Sequence, residues 1–565
     1  MSARVRRRLG KPKLFECLPW YSREDFRADL IAGVTVGLIA LPLAMAFGIA
    51  SGVTPEAGIY TAILGGFLVS ALGGSRIQIG GPTGAFVVIV AGIIAQHGLS
   101  GLYMVTMMAG GILLFLGLTG LGTAVRFIPR PVVIGFTNGI AVLIASTQIK
   151  DLLGLQMNSV PSEFAERMRE YAAHLGSVHW PAAAIAAGSL AAILIVPRFL
   201  RWLPGSIVAL GAATAISGVF GLPVETIGSK FGGISPGLPR VAAPEFRADL
   251  ILPLLPAAFT VAILAAVESL LSAVVSDTMT GDRHDSNVEL TAQGVANAVV
   301  PLVGGIPVTG AIARTAANFR SGARSPVSGL VHAVTLLTVI LALGPLAIHI
   351  PLATLAAVLL VVAYNMGEWR EVGSIVKLSP ADRSVWLLTF VLTVVADLTV
   401  AVEVGIALAA LLYIYRVSET TTVSTVTPDY IEHGRSHSLQ DKKVPPYVSI
   451  LRIHGPFLFG TSDKLADETA DLSRFAPIVV LRLRNMTAID ATGIHALERL
   501  ADRLKRSGRT FLLCGARDQP AEFLAKAEFV KHIGEQNILP DIGAALKRAQ
   551  AIRELTAESV VSGNG

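Results

Sequence analysis

The chain has 565 residues, 52% of them hydrophobic and only 15% charged, with a mean hydropathy of +0.62. That balance excludes an ordinary soluble enzyme and places most of the chain in a bilayer. The net charge of +6 sits mainly at the edges of apolar runs, which argues for lipid headgroups and orientation rather than nucleic acid.

The first segment, residues 1–28, carries Arg4, Arg6, Arg7, Arg8, Lys11, Lys13, Arg23 and Arg27. A basic stretch beside a first span is expected to stay in the cytoplasm. It leads into a full-length span without a small-residue cleavage site, so no cleavable signal peptide is read here. A transmembrane domain is expected over 29–418. Its hydrophobic windows predict spans near 30–52, 57–73, 78–97, 101–122, 131–153, 180–196 and 203–221, then 252–278, 288–304, 309–322, 327–349, 352–366, 383–398 and 400–416. Asp397 and Glu403 suggest a turn between the last two.

The third segment of each set is short and broken. Gly80-Gly81-Pro82-Thr83-Gly84-Ala85-Phe86 precedes a helix from Gly84 to His97 that rises roughly 21 Å; Gly310-Ala311-Ile312-Ala313-Arg314-Thr315 precedes one ending near Ala323 that rises roughly 15 Å. Neither crosses about 30 Å of hydrocarbon. Non-helical backbone survives at that depth only inside protein or along a watery cavity, and paired interruptions in two halves point to a carrier's binding site. Free N–H groups and the dipoles of both half-helices favour an anion, and Arg314 adds a full positive charge. Thr83, Gly84, Ala85, Phe86, Ala313, Arg314 and Thr315 are therefore the candidate substrate contacts. Thr83 and Thr315 read equally well as N-caps, and Gly81, Gly84 and Gly310 as packing glycines. Glu268, mid-span, is the candidate proton-coupling residue; a protonated acid tying two helices together is its plainer role. Asp285 and Asn287 are expected to fix a cytoplasmic turn, and Asn138 and Gln148 to make interhelical hydrogen bonds. No metal or cofactor is expected.

Orientation follows the basic residues. With the N-terminus inside, Arg76, Arg130, Arg283, Arg320, Arg324 and Arg370 all fall on cytoplasmic ends, and an odd number of spans per half inverts the second half. After Arg416 the composition changes. Residues 419–444 read as a polar linker, 445–555 as a small α/β domain and 556–565 as a tail. Strands are expected at Tyr447–His454, Ile478–Leu483 and Thr510–Cys514, with helices near 492–506, 518–529 and 541–553. The two cysteines, Cys17 and Cys514, cannot make a disulfide framework.

Several runs resemble the sulfate permease (SulP) family of anion transporters. They are Pro55-Glu56-Ala57-Gly58-Ile59-Tyr60, the stretch His284 to Leu290 with Gln293-Gly294 and Asn297, and Ala313-Arg314-Thr315. Val267-Glu268-Ser269-Leu270-Leu271, Ala311 to Pro326 and Gln148-Ile149-Lys150-Asp151 look like its bacterial C4-dicarboxylate (succinate) branch. The resemblance implies a multi-span α-helical membrane protein of fourteen segments as seven-plus-seven inverted repeats, with core and gate domains, a cytoplasmic STAS domain and a homodimer. It also implies a bacterial inner membrane with both termini cytoplasmic, and a possible regulatory partner for the STAS domain. Leu43 replaces a common glutamine. In Asp490-Ala491-Thr492-Gly493, alanine replaces the serine phosphorylated in anti-sigma-factor antagonists.

An ATP-driven pump would need a motif such as G-x-x-x-x-G-K-[ST] and a zinc hydrolase H-E-x-x-H, neither of which the sequence contains. The expected function is secondary active, proton-coupled uptake of a C4-dicarboxylate such as succinate or fumarate. Sulfate or bicarbonate transport, with proton or sodium coupling, and an anion channel are the alternatives.

Overall fold

The computed structural model describes residues 10–122, 130–157, 160–161, 163–200, 204–232, 241–245, 247–377, 380–396, 398–426 and 443–562. Arg4, Arg6, Arg7, Arg8 and Asp397, used above, lie outside them. The chain divides into two compact units, Met1–Ala409 and Ala410–Gly565.

The first unit is helical. After α1 (Lys13–Cys17), α2 (Arg23–Ala50) starts at a capping box. Ser22 Oγ accepts from the Asp25 amide at 3.1 Å, and the Asp25 carboxylate accepts from the Ser22 amide at 3.0 Å. The second span is composite: α3 (Pro55–Tyr60), a π-helical turn at Thr61–Gly65 and α4 (Gly66–Leu72). Next come β1 (Gly80–Gly81) and α5 (Gly84–Thr119), whose helix breaks at Gly98, φ 68°. The break separates the expected half-helix from the full span after it. The half closes with α6 (Arg130–Thr147), α7 (Ile149–Leu153), α8 (Phe164–His174), α9 (Trp180–Phe199) and α10 (Gly205–Phe220).

The second half repeats the order after a short α11 (Ile227–Phe231). Its elements are α12 (Ile251–Thr280), α13 (Ser286–Val299), β2 (Thr309–Gly310), α14 (Ile312–Arg320), α15 (Val327–Leu343), α16 (Leu352–Met366), α17 (Trp369–Lys377), α18 (Pro380–Val395) and α19 (Leu398–Thr420). Glu403 lies within α19 rather than at a turn, α18 ending at Val395 and α19 beginning at Leu398. Among the described residues seven helical stretches are long and apolar enough to cross a membrane alone. The broken third segment of each half, β1 with the start of α5 and β2 with α14, is not.

Glycines let the long helices approach closely. A Cβ on Gly37 of α2 would stand 2.9 Å from Cβ of Thr335 on α15, and one on Gly110 of α5 2.6 Å from the Ala298 amide nitrogen of α13. Both crossings join the two halves, which fits the small-residue packing that replaces a hydrophobic drive in lipid.

The second unit is a five-stranded sheet in the order β3 (Thr422–Thr425), β4 (Val448–Phe457), β5 (Ile478–Ile489), β6 (Thr510–Cys514), β7 (Ile538–Leu539). β3 is antiparallel to β4 and the remaining pairs are parallel. Near-continuous apolar runs such as Ile478–Leu483 are what strands covered on both faces require, and separate buried clusters do lie on the two faces. The interval 419–444 is therefore not all linker: residues 422–425 supply the edge strand. Asp490 caps the helix Ala491–Arg506, accepting from Gly493 N at 2.8 Å and Phe459 N at 2.8 Å. That carboxylate is spent on the backbone at the place where Ala491 offers no hydroxyl.

Candidate anion site

The two interruptions meet. β1 and β2 pair antiparallel, Gly80 opposite Gly310 and Gly81 opposite Thr309. Two matching segments joined antiparallel is the relation an inverted repeat imposes on its broken helices. The bridge brings the starts of α5 and α14 to one place.

Helix α12 is the frame against which this crossing is built. Its Ser269 Oγ pairs with Thr309 Oγ1 at 2.8 Å and accepts from the Gly310 amide at 3.0 Å; Ser272 Oγ pairs with Thr315 Oγ1 at 2.9 Å. Thr309 Oγ1 also reaches the Ala265 carbonyl at 3.0 Å, and Gln78 Nε2 donates to the Ser269 carbonyl at 3.3 Å. These short hydroxyls give non-helical backbone the partners that lipid cannot. Asn318 continues the stitching, donating to Ile77 O at 2.9 Å and Ser328 Oγ at 2.8 Å.

Glu268 follows on α12 and keeps accessible surface. Thr83, at the N-cap of α5, does not cap its helix. Its hydroxyl donates to Glu268 Oε2 at 2.8 Å, so the acid is tied to the half-helix start. Arg314 is 3% exposed, and its Nη2 donates to the Pro82 carbonyl. Its Nη1 is buried without a protein hydrogen-bond partner. The guanidinium thus spans the crossing, from α14 to the backbone just before α5.

Gly81 has φ 151°, and a Cβ there would run into Arg314 Nη1. A Cβ on Gly310 would run into Gln78 Nε2. Gly81 is required by its own backbone conformation, and Gly310 leaves room for the Gln78 side chain. Gly84 faces the other side, where a Cβ would lie 2.9 Å from Ile144 Cδ1, 3.2 Å from Met366 Sδ and 3.3 Å from Phe47 Cε1. The start of α5 is therefore hemmed in by α2, α6 and α16.

The remaining expected contacts separate. Ala313 is exposed on the first turn of α14, whereas Ala85 and Phe86 are fully buried in the apolar core behind α5. Thr315 is neither an N-cap, a position held by Ala311, nor a free donor. Its hydroxyl is engaged by Ser272 and by the Ile79 amide at 3.2 Å, and its own amide by the Ala311 carbonyl at 2.8 Å. It holds the bridge together. Asp285 does cap α13, accepting from Asn287 N and Val288 N. Asn138 accepts from Trp386 Nε1 across α6 and α18 at 3.0 Å, as expected, but Gln148 bonds its neighbour Thr147 and makes no interhelical bond with it. Among the described residues no cluster of three or more His, Cys, Asp or Glu is placed to hold a metal ion.

Two half-helix starts, a buried arginine and an accessible acid come together at this crossing in a chain of apolar helices, the arrangement of an anion-handling membrane transporter. The sulfate permease family model matches residues 26–389 and the STAS domain model residues 440–545, so the chain belongs to the sulfate permease family, with a C-terminal STAS domain. It is 42% identical over 520 residues to YvdB of Bacillus subtilis, a candidate sulfate transporter, covering 92% of this chain and 96% of that one. It is 31% identical over 540 residues to the bicarbonate transporter BicA of Picosynechococcus, covering 93% and 95%. Among solved structures, the transmembrane domain of a cyanobacterial BicA superposes with a TM-score of 0.61 at 32% identity, over 69% of this chain and 98% of that one. Murine Solute Carrier 26 family member A9 shares the fold, with a TM-score of 0.85 at 20% identity over 96% and 94%. The chain is thus a multi-pass anion transporter and not an enzyme. These relatives lend no support to the dicarboxylate branch.

Proposed function

We propose that the protein is a proton-coupled secondary carrier of a small oxyanion, with sulfate the first candidate. The observation that carries this reading is the antiparallel β1–β2 bridge, which sets the starts of α5 and α14, Arg314 Nη1 and the Thr83–Glu268 pair around one point. The anion binds at the half-helix starts, contacted by Thr83, by the Gly84 and Ala85 backbone and by Ala313, with Arg314 supplying the compensating charge. Glu268 carries the coupling proton. Ionised, it competes with the anion for Arg314; protonated, it does not, so anion and proton bind together. Phe86 and Thr315 shape the site from behind.

Sulfate is favoured by the description of YvdB. Bicarbonate is favoured by BicA, a transporter of that ion. Succinate or fumarate, suggested by the sequence resemblance, is the third candidate. Uptake of the three labelled anions into proteoliposomes under imposed pH or sodium gradients decides among them. Gradient-coupled, saturable uptake supports a carrier, and unsaturable flux a channel. The protein sits in the bacterial inner membrane with both termini cytoplasmic, acts as a homodimer and offers its STAS domain to a cytoplasmic regulator.

A further inference from the structure

The segment before the first span is not a loose tail. Lys13 Nζ pairs with Asp282 at 3.0 Å in the α12–α13 turn, and the Lys13 amide donates to the Gly73 carbonyl at the end of α4. Tyr21 donates to Asp29 Oδ2 at 2.9 Å. Asp29 Oδ1 accepts from the Arg324 and Ser325 amides at 2.7 and 3.1 Å, and Asp25 pairs with Arg324 at 3.0 Å in the α14–α15 turn. The inner face of residues 11–29 is therefore polar and joins turns from both halves.

Its outer face is the reverse of a soluble helix. Trp20 is 88% exposed and Phe15 57%, with Leu18 and Phe26 also exposed. Along the chain these lead directly into Leu30, Ile31, Val34 and Leu38, the exposed stripe of the membrane helix α2. Around them the exposed cations Lys11, Arg23 and Arg27 outnumber the exposed acids Glu16 and Glu24, and Glu16 is paired with Lys13. Apolar rings flanked by cations, continuous with a lipid-facing stripe, match the boundary between acyl chains and acidic headgroups.

We infer that residues 11–27 form an interfacial strap that seats Phe15, Leu18 and Trp20 in an acidic phospholipid leaflet and, through Lys13, Asp25 and Asp29, makes the transporter core responsive to that leaflet. The side of the membrane rests on the cytoplasmic N-terminus proposed above.

The test uses the full chain in vesicles of phosphatidylcholine alone and in vesicles with roughly a third phosphatidylglycerol. Lipids brominated near the headgroup quench a seated tryptophan, and the difference between wild type and Trp20→Tyr isolates Trp20. Quenching by bromolipid and shielding from aqueous iodide are expected. Phosphatidylglycerol should speed sulfate uptake on the order of fivefold. Phe15→Ser/Trp20→Ser should lose that stimulation while keeping the rate in phosphatidylcholine. Iodide quenching without bromolipid quenching overturns the proposal, as does shielding from both, which would mean that protein covers the strap. An unchanged stimulation in the double variant also overturns it. The quenching arm reads out whatever anion is carried, so a wrong substrate does not mimic a wrong strap.

Discussion

Replacing Glu268 by glutamine separates binding from coupling. The side chain keeps its length, and its amide oxygen still accepts from Thr83 Oγ1, whose present bond to Glu268 Oε2 is 2.8 Å. Exchanging a charged acceptor for a neutral one weakens that bond by about 1 kcal/mol, so anion affinity should move by no more than about fivefold. The proton site, in contrast, is removed outright. For one proton per anion, each pH unit contributes about 1.4 kcal/mol, or about tenfold in accumulation. Counterflow and pH-driven uptake measured on the same vesicles should show Glu268→Gln exchanging anions at a rate near wild type while its accumulation ratio ignores an inward proton gradient. If the variant accumulates substrate with the wild-type pH dependence, Glu268 is a structural acid and the proton enters elsewhere.

Arg314→Ala removes the charge proposed to compensate the anion and leaves the Pro82 carbonyl without that donor. Binding should weaken by about 1.5–3 kcal/mol, read by calorimetric titration of the folded variant; unchanged affinity would remove Arg314 from the site. Gly110→Leu forces a side chain toward the Ala298 amide, which a Cβ alone would approach to 2.6 Å. It should destabilise the unit by about 1–3 kcal/mol or more, seen as a lowered unfolding midpoint in detergent. A chain ending at residue 420, the end of α19, omits the five-stranded sheet and its helices and should still insert and keep its anion affinity, with only rate or yield altered; loss of binding in dispersed protein would make the sheet domain part of the site. Burial pushes the Cys514 thiol up to about 12, which starves it of the reactive thiolate. Iodoacetamide at about pH 8 should therefore leave Cys514 unlabelled until the protein is unfolded, as mass spectrometry would show.

The spans were legible because each is a long apolar run ended by basic residues or glycine, and bilayer thickness fixes how long such a run must be. The same rule exposed the broken segments, which are too short to cross. The break at Gly98 is set by one residue, and windowed hydropathy blurs it. Helices α8, α11 and α17 escaped because they are short and amphipathic, so no window averages to an apolar value. β3 escaped for another reason. Thr422–Thr425 is polar and lies at a sheet edge, where only one side needs a partner strand, so its composition matches that of a linker.

At the site, the charged residues announced themselves and the small ones did not. Arg314 and Glu268 are expensive in a membrane, and that cost alone marks them as functional. Ser269, Ser272, Thr309 and Gln78 carry no such signal singly, since serine and threonine are tolerated in any span. Their role is set by partners some forty residues away or, for Gln78, in the other half of the chain. A trace did exist: Ser269, Ser272 and Ser276 lie three and four residues apart and so share one face of α12 beside Glu268. A polar face on an otherwise apolar span needs something polar to meet, and the broken third segment of the second half supplies it at β2. The physical logic of the site follows from that match. In the proposed carrier, backbone amides freed by the breaks attract the anion, Ser269 secures the Gly310 amide, and Arg314 crosses the bridge to the Pro82 carbonyl so that both halves share the charge.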